Sequence, residues 1–238
     1  FAFAVASQAE TIVSIRGDAV ERYEVLLRLR DRENQEIIPG SVFGVVHNHQ
    51  LGLKLDRWII EHAIEVLRQR RSPITLFIKV LPITLQDRTL SGWLRERLEQ
   101  AEVEPDRIVF EVAEATAERG LRDMFGFLGG IKLLGCGFCL DRFGRGSDSL
   151  GLLKNLGADY VKLDMYLVND LARDRAKQAQ LQELVQSLEA LGAATIVGGV
   201  EDVKTMPILW SLGVDLIQGF FLQQPYREMS YDFANASF

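Results

Sequence analysis

Strand-like apolar runs alternate with helical patterns at intervals of roughly 25 to 35 residues, and this alternation constrains the fold more than any other feature of the chain. Strand-like stretches are read at 11–15, 23–29, 74–80, 107–112, 137–141, 160–163, 195–197 and 216–218, and helical periodicity at 55–70, 85–100, 116–128, 149–156, 179–191 and 203–212. A strand, a crossover helix and a second strand give a parallel pair, because a tight turn returns the chain only antiparallel. Eight such strands can close on themselves, and 238 residues suit a single α/β barrel. The first two runs break the rhythm, since Arg16-Gly17-Asp18 lies between them and suits a hairpin. The expected architecture is a TIM-like (β/α)8 barrel with one antiparallel strand near the N-terminus, built by residues 1–238 as one domain.

Composition narrows the function classes. Asp and Glu number 33 against 27 Lys and Arg, a net charge of −6, which argues against a broad surface for nucleic-acid polymers. No apolar run approaches the roughly 18 residues of a membrane span. Cys136 and Cys139 have C-x-x-C spacing, open to a redox pair or half a zinc site, but strand residues three apart face opposite ways and no second Cys/His pair accompanies them. They read as two reduced core thiols, which suits a cytoplasmic protein. His47 and His49 would point about 200° apart on a helix and read as surface residues. Asp148 and Ser149 follow a Gly-rich turn and read as a helix cap. The chain begins at Phe1 and reads as a piece of something longer.

In such a barrel the chemistry gathers at the C-terminal ends of the strands. The side chains there are Glu24, Arg28, Lys79, Glu111, Glu114, Asp141, Arg142, Lys162, Asp164, Glu201 and Gln218. Burying unpaired charge is expensive, so this convergence marks a site, with structural ion pairs as the alternative explanation.

At these positions the chain resembles the EAL domains, the cyclic-di-GMP phosphodiesterase family. Glu24-Val-Leu-Leu-Arg28 resembles EALLR, Leu55-Asp-Arg-Trp58 the LDxW helix, and Phe110-Glu-Val-Ala-Glu114 the LELTE strand. Leu140-Asp-Arg-Phe-Gly-Arg-Gly146 resembles LDDFGTG, Lys162-Leu-Asp164 KID, Gly198-Gly-Val-Glu201 EGVE, and Gln218-Gly-Phe220 QGY. The resemblance implies a barrel with one antiparallel strand and, in active members, two divalent metals that activate a water for attack at phosphorus. Of the implied metal cluster Glu24, Glu111 and Asp141 remain, whereas Lys79 stands for the family Asn, Arg142 for the second Asp of DDFG, and Gly198 for the first Glu of EGVE. Those three replacements move the pocket toward positive charge, so the expectation is a catalytically inactive domain needing neither Mg nor Mn.

The resemblance also carries nucleotide contacts over to Leu27, Arg28, Asp56, Glu201 and Gln218, with Lys79, Arg142, Phe221 and Pro225 as additional contacts. Arg28 would take a phosphate, Asp56 and Glu201 the N–H donors of guanine, and Lys79 and Arg142 the countercharge that metals otherwise supply. The family's Gln-Pro-Ile on the first strand reads Glu10-Thr-Ile12, so either the register slips to Gln8 or that contact is lost. The segments Glu21–Arg28, 217–225 and 229–233 resemble FimX-type domains, degenerate EAL receptors of type IV pilus control. That likeness implies a PilZ-domain partner and upstream receiver, PAS or GGDEF modules. The run Arg173-Asp-Arg-Ala-Lys177 is either a homodimer contact or a solvated face. Two other functions stay open: a slow phosphodiesterase with one metal on Glu24, Glu111 and Asp141, and an interaction scaffold that binds no nucleotide.

Overall fold

The computed structural model describes residues 4–18, 20–30, 36–37, 49–70, 72–200 and 205–219. Its strands are β1 (Ala4–Ser14), β2 (Glu21–Arg30), β3 (Glu36–Ile37), β4 (Ile74–Lys79), β5 (Ile108–Ala113), β6 (Gly137–Phe143), β7 (Tyr160–Leu163), β8 (Ala194–Val197) and β9 (Leu216–Gln218). Their order is β1-β9-β8-β7-β6-β5-β4-β2-β3, and a further β1–β2 pairing closes eight of them into a barrel, leaving the two-residue β3 as an appendage of β2. Only β1 runs against both of its barrel neighbours, as the early hairpin predicts.

The helices are α1 (His49–Gln69), α2 (Leu90–Ala101), α3 (Glu114–Arg119), α4 (Leu121–Leu134), α5 (Ser149–Leu156), α6 (Arg175–Ala190) and α7 (Met206–Ser211). No described helix is long and apolar enough to cross a membrane. Three boundaries differ from the periodicity. β1 starts seven residues before the expected 11, because Gln8 and Glu10 are polar yet pair with β2 opposite Leu26 and Glu24. The helix expected at 85–100 divides into a 3-10 turn, Pro82–Gln86, and α2, since Asp87 ends the first piece by accepting from Thr89. The helix expected at 116–128 breaks at Gly120 into α3 and α4.

Caps set several of the ends. Asp148 caps α5 by accepting from the Gly151 N–H, and Asp174 caps α6 by accepting from that of Lys177. The charged run at 173–177 therefore begins α6, with the Lys177 ammonium donating to the Asn169 carbonyl. Gly135 closes α4 in the left-handed region at φ 96, where an L residue would be strained. His47 lies outside the described residues.

The two faces of each strand have separate jobs. Outward side chains join the helices in one large apolar layer. Inward ones form a small lumen plug of Ile12, Phe77, Val109, Cys139, Ile196 and Leu216, with Tyr160 against it. Cys136 belongs to the outer layer and Cys139 to the plug, so the two thiols do face opposite ways; both are free. Burial pushes the Cys136 thiol up to about 12.

Phe77 is fully buried in the plug and meets Tyr160 edge-on at 5.0 Å. Phe77→Ala should cost about 3–5 kcal/mol in denaturant unfolding. Leu133→Ala, on a side chain 80% exposed, should change stability by less than ~0.5 kcal/mol.

Candidate functional site

Two residues beyond the plug, the barrel strands turn polar, except after β8, where the position is a glycine. Phe77 leads to Lys79, Val109 to Glu111, Cys139 to Asp141, Tyr160 to Lys162, Ile196 to Gly198 and Leu216 to Gln218; Glu24 on β2 and Glu10 on β1 complete the layer. Because side chains alternate along a strand, this offset keeps all of them pointing inward, at the C-terminal mouth. There all but the fully buried Glu111 line a cavity of about 740 Å³ together with residues of α3 and of the loops after β6, β7 and β8.

The layer's centre is the buried Lys162 ammonium, 2.8 Å from Glu24 Oε2 and 2.5 Å from Glu111 Oε1. Lys79 Nζ lies 3.0 Å from Asp141 Oδ2, 3.4 Å from Glu24 Oε1 and 3.9 Å from Glu111 Oε2. The Gln218 amide donates to Glu24 Oε2 at 2.6 Å and to Glu10 Oε2 at 2.9 Å, bridging two carboxylates that face each other across β1 and β2. Burial by itself would raise Glu24, but Lys162, Lys79 and Gln218 hold it far below the usual carboxylate range. Glu111 is raised to about 7, by burial first and then by the adjacent Glu24 charge. Lys79 and Lys162 lose solvation too, yet the surrounding carboxylates raise both and keep them charged. Among the described residues no three Asp, Glu, His or Cys side chains are arranged to hold a metal ion.

A second acidic group supports the rim. Glu114 Oε2 accepts from the backbone N–H groups of Gly144, Arg145 and Gly146 at 2.9, 2.9 and 3.2 Å, a nest that fixes the loop after β6. Gly144 is required there: its φ is 101, and a Cβ would lie 2.7 Å from Leu167 Cδ1. Arg145 forks onto Asp164 at 2.7 and 3.0 Å and lies over the Tyr166 ring, whose hydroxyl donates to the Gly144 carbonyl. Arg142 holds a positive φ of 54 between the buried Asp141 and Phe143, beside a shift in the β6–β7 register, and its side chain is exposed at the cavity.

The residues singled out in the sequence fall in different places. Gln218, Lys79 and Arg142 line the cavity with the triad Glu24, Glu111 and Asp141 at or beneath its floor. Arg28 lies farther along β2, donating to Gln8 Oε1 at 3.0 Å and to the Leu27 carbonyl; Leu27 is half-buried against the core. The register question on β1 resolves into two contacts, Glu10 opposite Glu24 and Gln8 beside Arg28. Asp56 is buried on α1, where Oδ2 accepts from the Leu81 N–H at 2.7 Å and the Thr84 hydroxyl at 2.5 Å, tying α1 to the chain just after β4. Glu201, Phe221 and Pro225 lie outside the described residues. The central place of Lys162, the Glu114 nest and the Arg145–Asp164 pair are findings of the structure, although the offset of two between plug and polar residue was visible in the sequence.

The family profile described as EAL domain matches residues 4–225. The structure superposes on the FimX EAL domain of Pseudomonas aeruginosa bound to c-di-GMP with a TM-score of 0.91 and 32% identity, covering 96% of this chain and 93% of that one. It superposes on the Xanthomonas citri FimX EAL domain in complex with c-diGMP with a TM-score of 0.89 and 26% identity, covering 96% and 90%. In sequence it is 26% identical over 220 residues to the cyclic di-GMP phosphodiesterase PdeF of Escherichia coli, covering 91% of this chain and 29% of that protein. The chain thus spans about a third of the length of the curated relatives it matches.

Burial raises the Asp56 carboxyl to about 6 against the bonds from Thr84 and Leu81, from an ordinary value of 3.8. A carboxyl raised on folding loses stabilisation as pH rises from the unfolded to the folded value. Asp56→Asn keeps the acceptor and removes the titration. The variant should gain on the wild type between pH 4 and 6, by up to about 3 kcal/mol, in denaturant unfolding over a pH series.

Proposed function

The chain belongs to the EAL domain family, and from that premise we propose that it is a signalling receptor that binds cyclic-di-GMP at the barrel mouth without metal and without cutting it. The observation that carries this reading is the Lys79 ammonium, lodged within 4 Å of Glu24, Asp141 and Glu111. These are the carboxylates that two divalent ions would need, and a fixed positive charge among them repels such ions strongly in a poorly solvated site. Arg142, beside Asp141, adds a second cation, and Gly198 offers no ligand atom from β8. The residues present therefore do not fit a two-metal centre, and no hydrolytic step is derived through one.

Nucleotide recognition is assigned to what remains. Arg28 donates to a phosphate, Gln218 orients the mouth through Glu24 and Glu10, and Glu201 accepts from a guanine edge. Asp56 acts by holding α1 against β4 rather than by direct contact, since its side chain is buried and bonded. Phe221 and Pro225 are assigned to packing against a guanine face. The solved FimX EAL domains that hold c-di-GMP support the ligand, and a cytoplasmic role in type IV pilus control is the part of the proposal that rests on the FimX-type resemblance of the sequence alone. A PilZ-domain partner and upstream receiver, PAS or GGDEF modules in one longer chain belong to that proposal.

The competing function is slow hydrolysis on a single metal held by Glu24, Glu111 and Asp141, which would have to rearrange to bind it. Calorimetric titration of cyclic-di-GMP with EDTA present separates the two: saturable binding is expected, and binding or linear dinucleotide appearing only with Mn²⁺ would overturn the receptor reading. Absence of binding in both conditions would leave a scaffold. Arg28→Ala should weaken binding more than about tenfold, the loss of a charge-assisted pair. Joint replacement Lys79→Asn, Arg142→Asp and Gly198→Glu should create Mn²⁺ binding, read by calorimetry, where the parent chain shows none.

A further inference from the structure

We propose that Arg119, Arg142 and Arg145 form a second anion subsite on the α3–β6 side of the cavity, which takes a phosphate of the bound dinucleotide. This deepens the receptor reading and rests on it. The argument starts from which cations are already committed. Lys162 and Lys79 lie in the polar layer of the barrel, each within reach of at least two carboxylates, so little of their charge is left for a ligand. The sequence suggested Lys79 as phosphate countercharge; it does line the cavity, but its ammonium is shared among Glu24, Asp141 and Glu111.

The arginines are placed differently. Arg119 and Arg142 are exposed, line the cavity, and have no ion pair or side-chain hydrogen bond among the described residues. Arg145 spends Nε and Nη2 on Asp164 and lies over the Tyr166 ring, so the fork is held in place while Nη1 remains to donate. Most carboxylates on this side are occupied: Asp141 by Lys79, Asp164 by Arg145, and Glu114 by three backbone N–H groups. Among the described residues on this side, the exposed Glu118 and the unpartnered Glu114 Oε1 are the acidic groups left to oppose the three guanidiniums.

Backbone geometry gives an independent indication. A non-glycine residue at φ 54 is strained, and Asn or Asp tolerates that region better than Arg. The conformation breaks the in-out alternation of β6 and turns the Arg142 side chain to the mouth. Arg28 lies on β2, across the acidic floor formed by Glu10 and Glu24. Two cationic places separated by hydrogen-bond acceptors match a ring with two phosphodiesters and two guanines that offer N–H donors.

The test uses Arg119→Gln, Arg145→Gln and Arg142→Asn, the last keeping a residue suited to positive φ. Calorimetric titration of cyclic-di-GMP should show each variant weakened about three- to tenfold, with a smaller difference at high salt, because exposed charges are screened. Melting temperatures report folding independently, and Arg142→Asn should melt no lower than the wild type. Wild-type affinity in all three variants would overturn the subsite and leave the receptor reading standing. Inorganic pyrophosphate, followed by ³¹P line broadening, separates the two claims. Broadening that Arg119→Gln and Arg142→Asn abolish, in a protein that binds no dinucleotide, would retain the subsite and overturn the receptor. No broadening with the wild type and no dinucleotide binding would overturn both.

Discussion

The buried ammonium of Lys162 holds the mouth of this barrel together. It reaches Glu24 on β2 and Glu111 on β5 from β7, joining three strands that are not neighbours in the sheet. Without it two carboxylates would be buried side by side, and removing one partner of such a pair typically costs about 3–5 kcal/mol. The surrounding contacts depend on this neutralisation. Gln218 can bridge Glu24 and Glu10 only where Glu24 is already fixed, and Lys79 finds Asp141 because Glu111 is engaged from the other side. The polar layer is thus both a structural lid on the apolar plug and the floor of the cavity.

That double role bears on what the site can do. Two ammoniums among Glu24, Glu111 and Asp141 offset two of the three negative charges, so little charge is left there to attract divalent ions. The adaptable chemistry lies one shell farther out, on Arg142, Arg145 and the loop fixed by Glu114. An inner layer made rigid by its own salt bridges can support an outer one that exchanges partners when a ligand arrives.

Much of this was legible in the residues. Alternation of strand and helix gave the barrel, and the hairpin at Arg16-Gly17-Asp18 gave its one antiparallel strand. Spacing of two between plug and polar residue was present on β4, β5, β6, β7 and β9, with Gly198 at that place after β8. Other features were hidden for physical reasons. The first half of β1 is hard to read as a strand, because Ala4-Val-Ala-Ser-Gln-Ala9 is rich in alanine and holds only one β-branched residue. Asp56 reads as a ligand contact by motif, but its burial depends on the turn after β4, which periodicity does not show. Arg142 reads simply as an inserted positive charge, and its direction comes from a backbone conformation that composition does not encode.

The seam between β1 and β9 has a consequence for the order of events during synthesis. The bond from Gln218 to Glu10 joins positions 208 apart, and Ile12 pairs with Gln218 across the same seam. A ribosome makes β1 early, yet that strand's second neighbour is the last barrel strand to emerge. Until then one edge of β1 has no partner and the ring stays an open, curled sheet. Contacts of such long range close slowly, and an unpaired edge invites association with other chains. The cavity at the mouth, whose floor joins Glu10 of β1 to Gln218 of β9, comes into being only at that final closure.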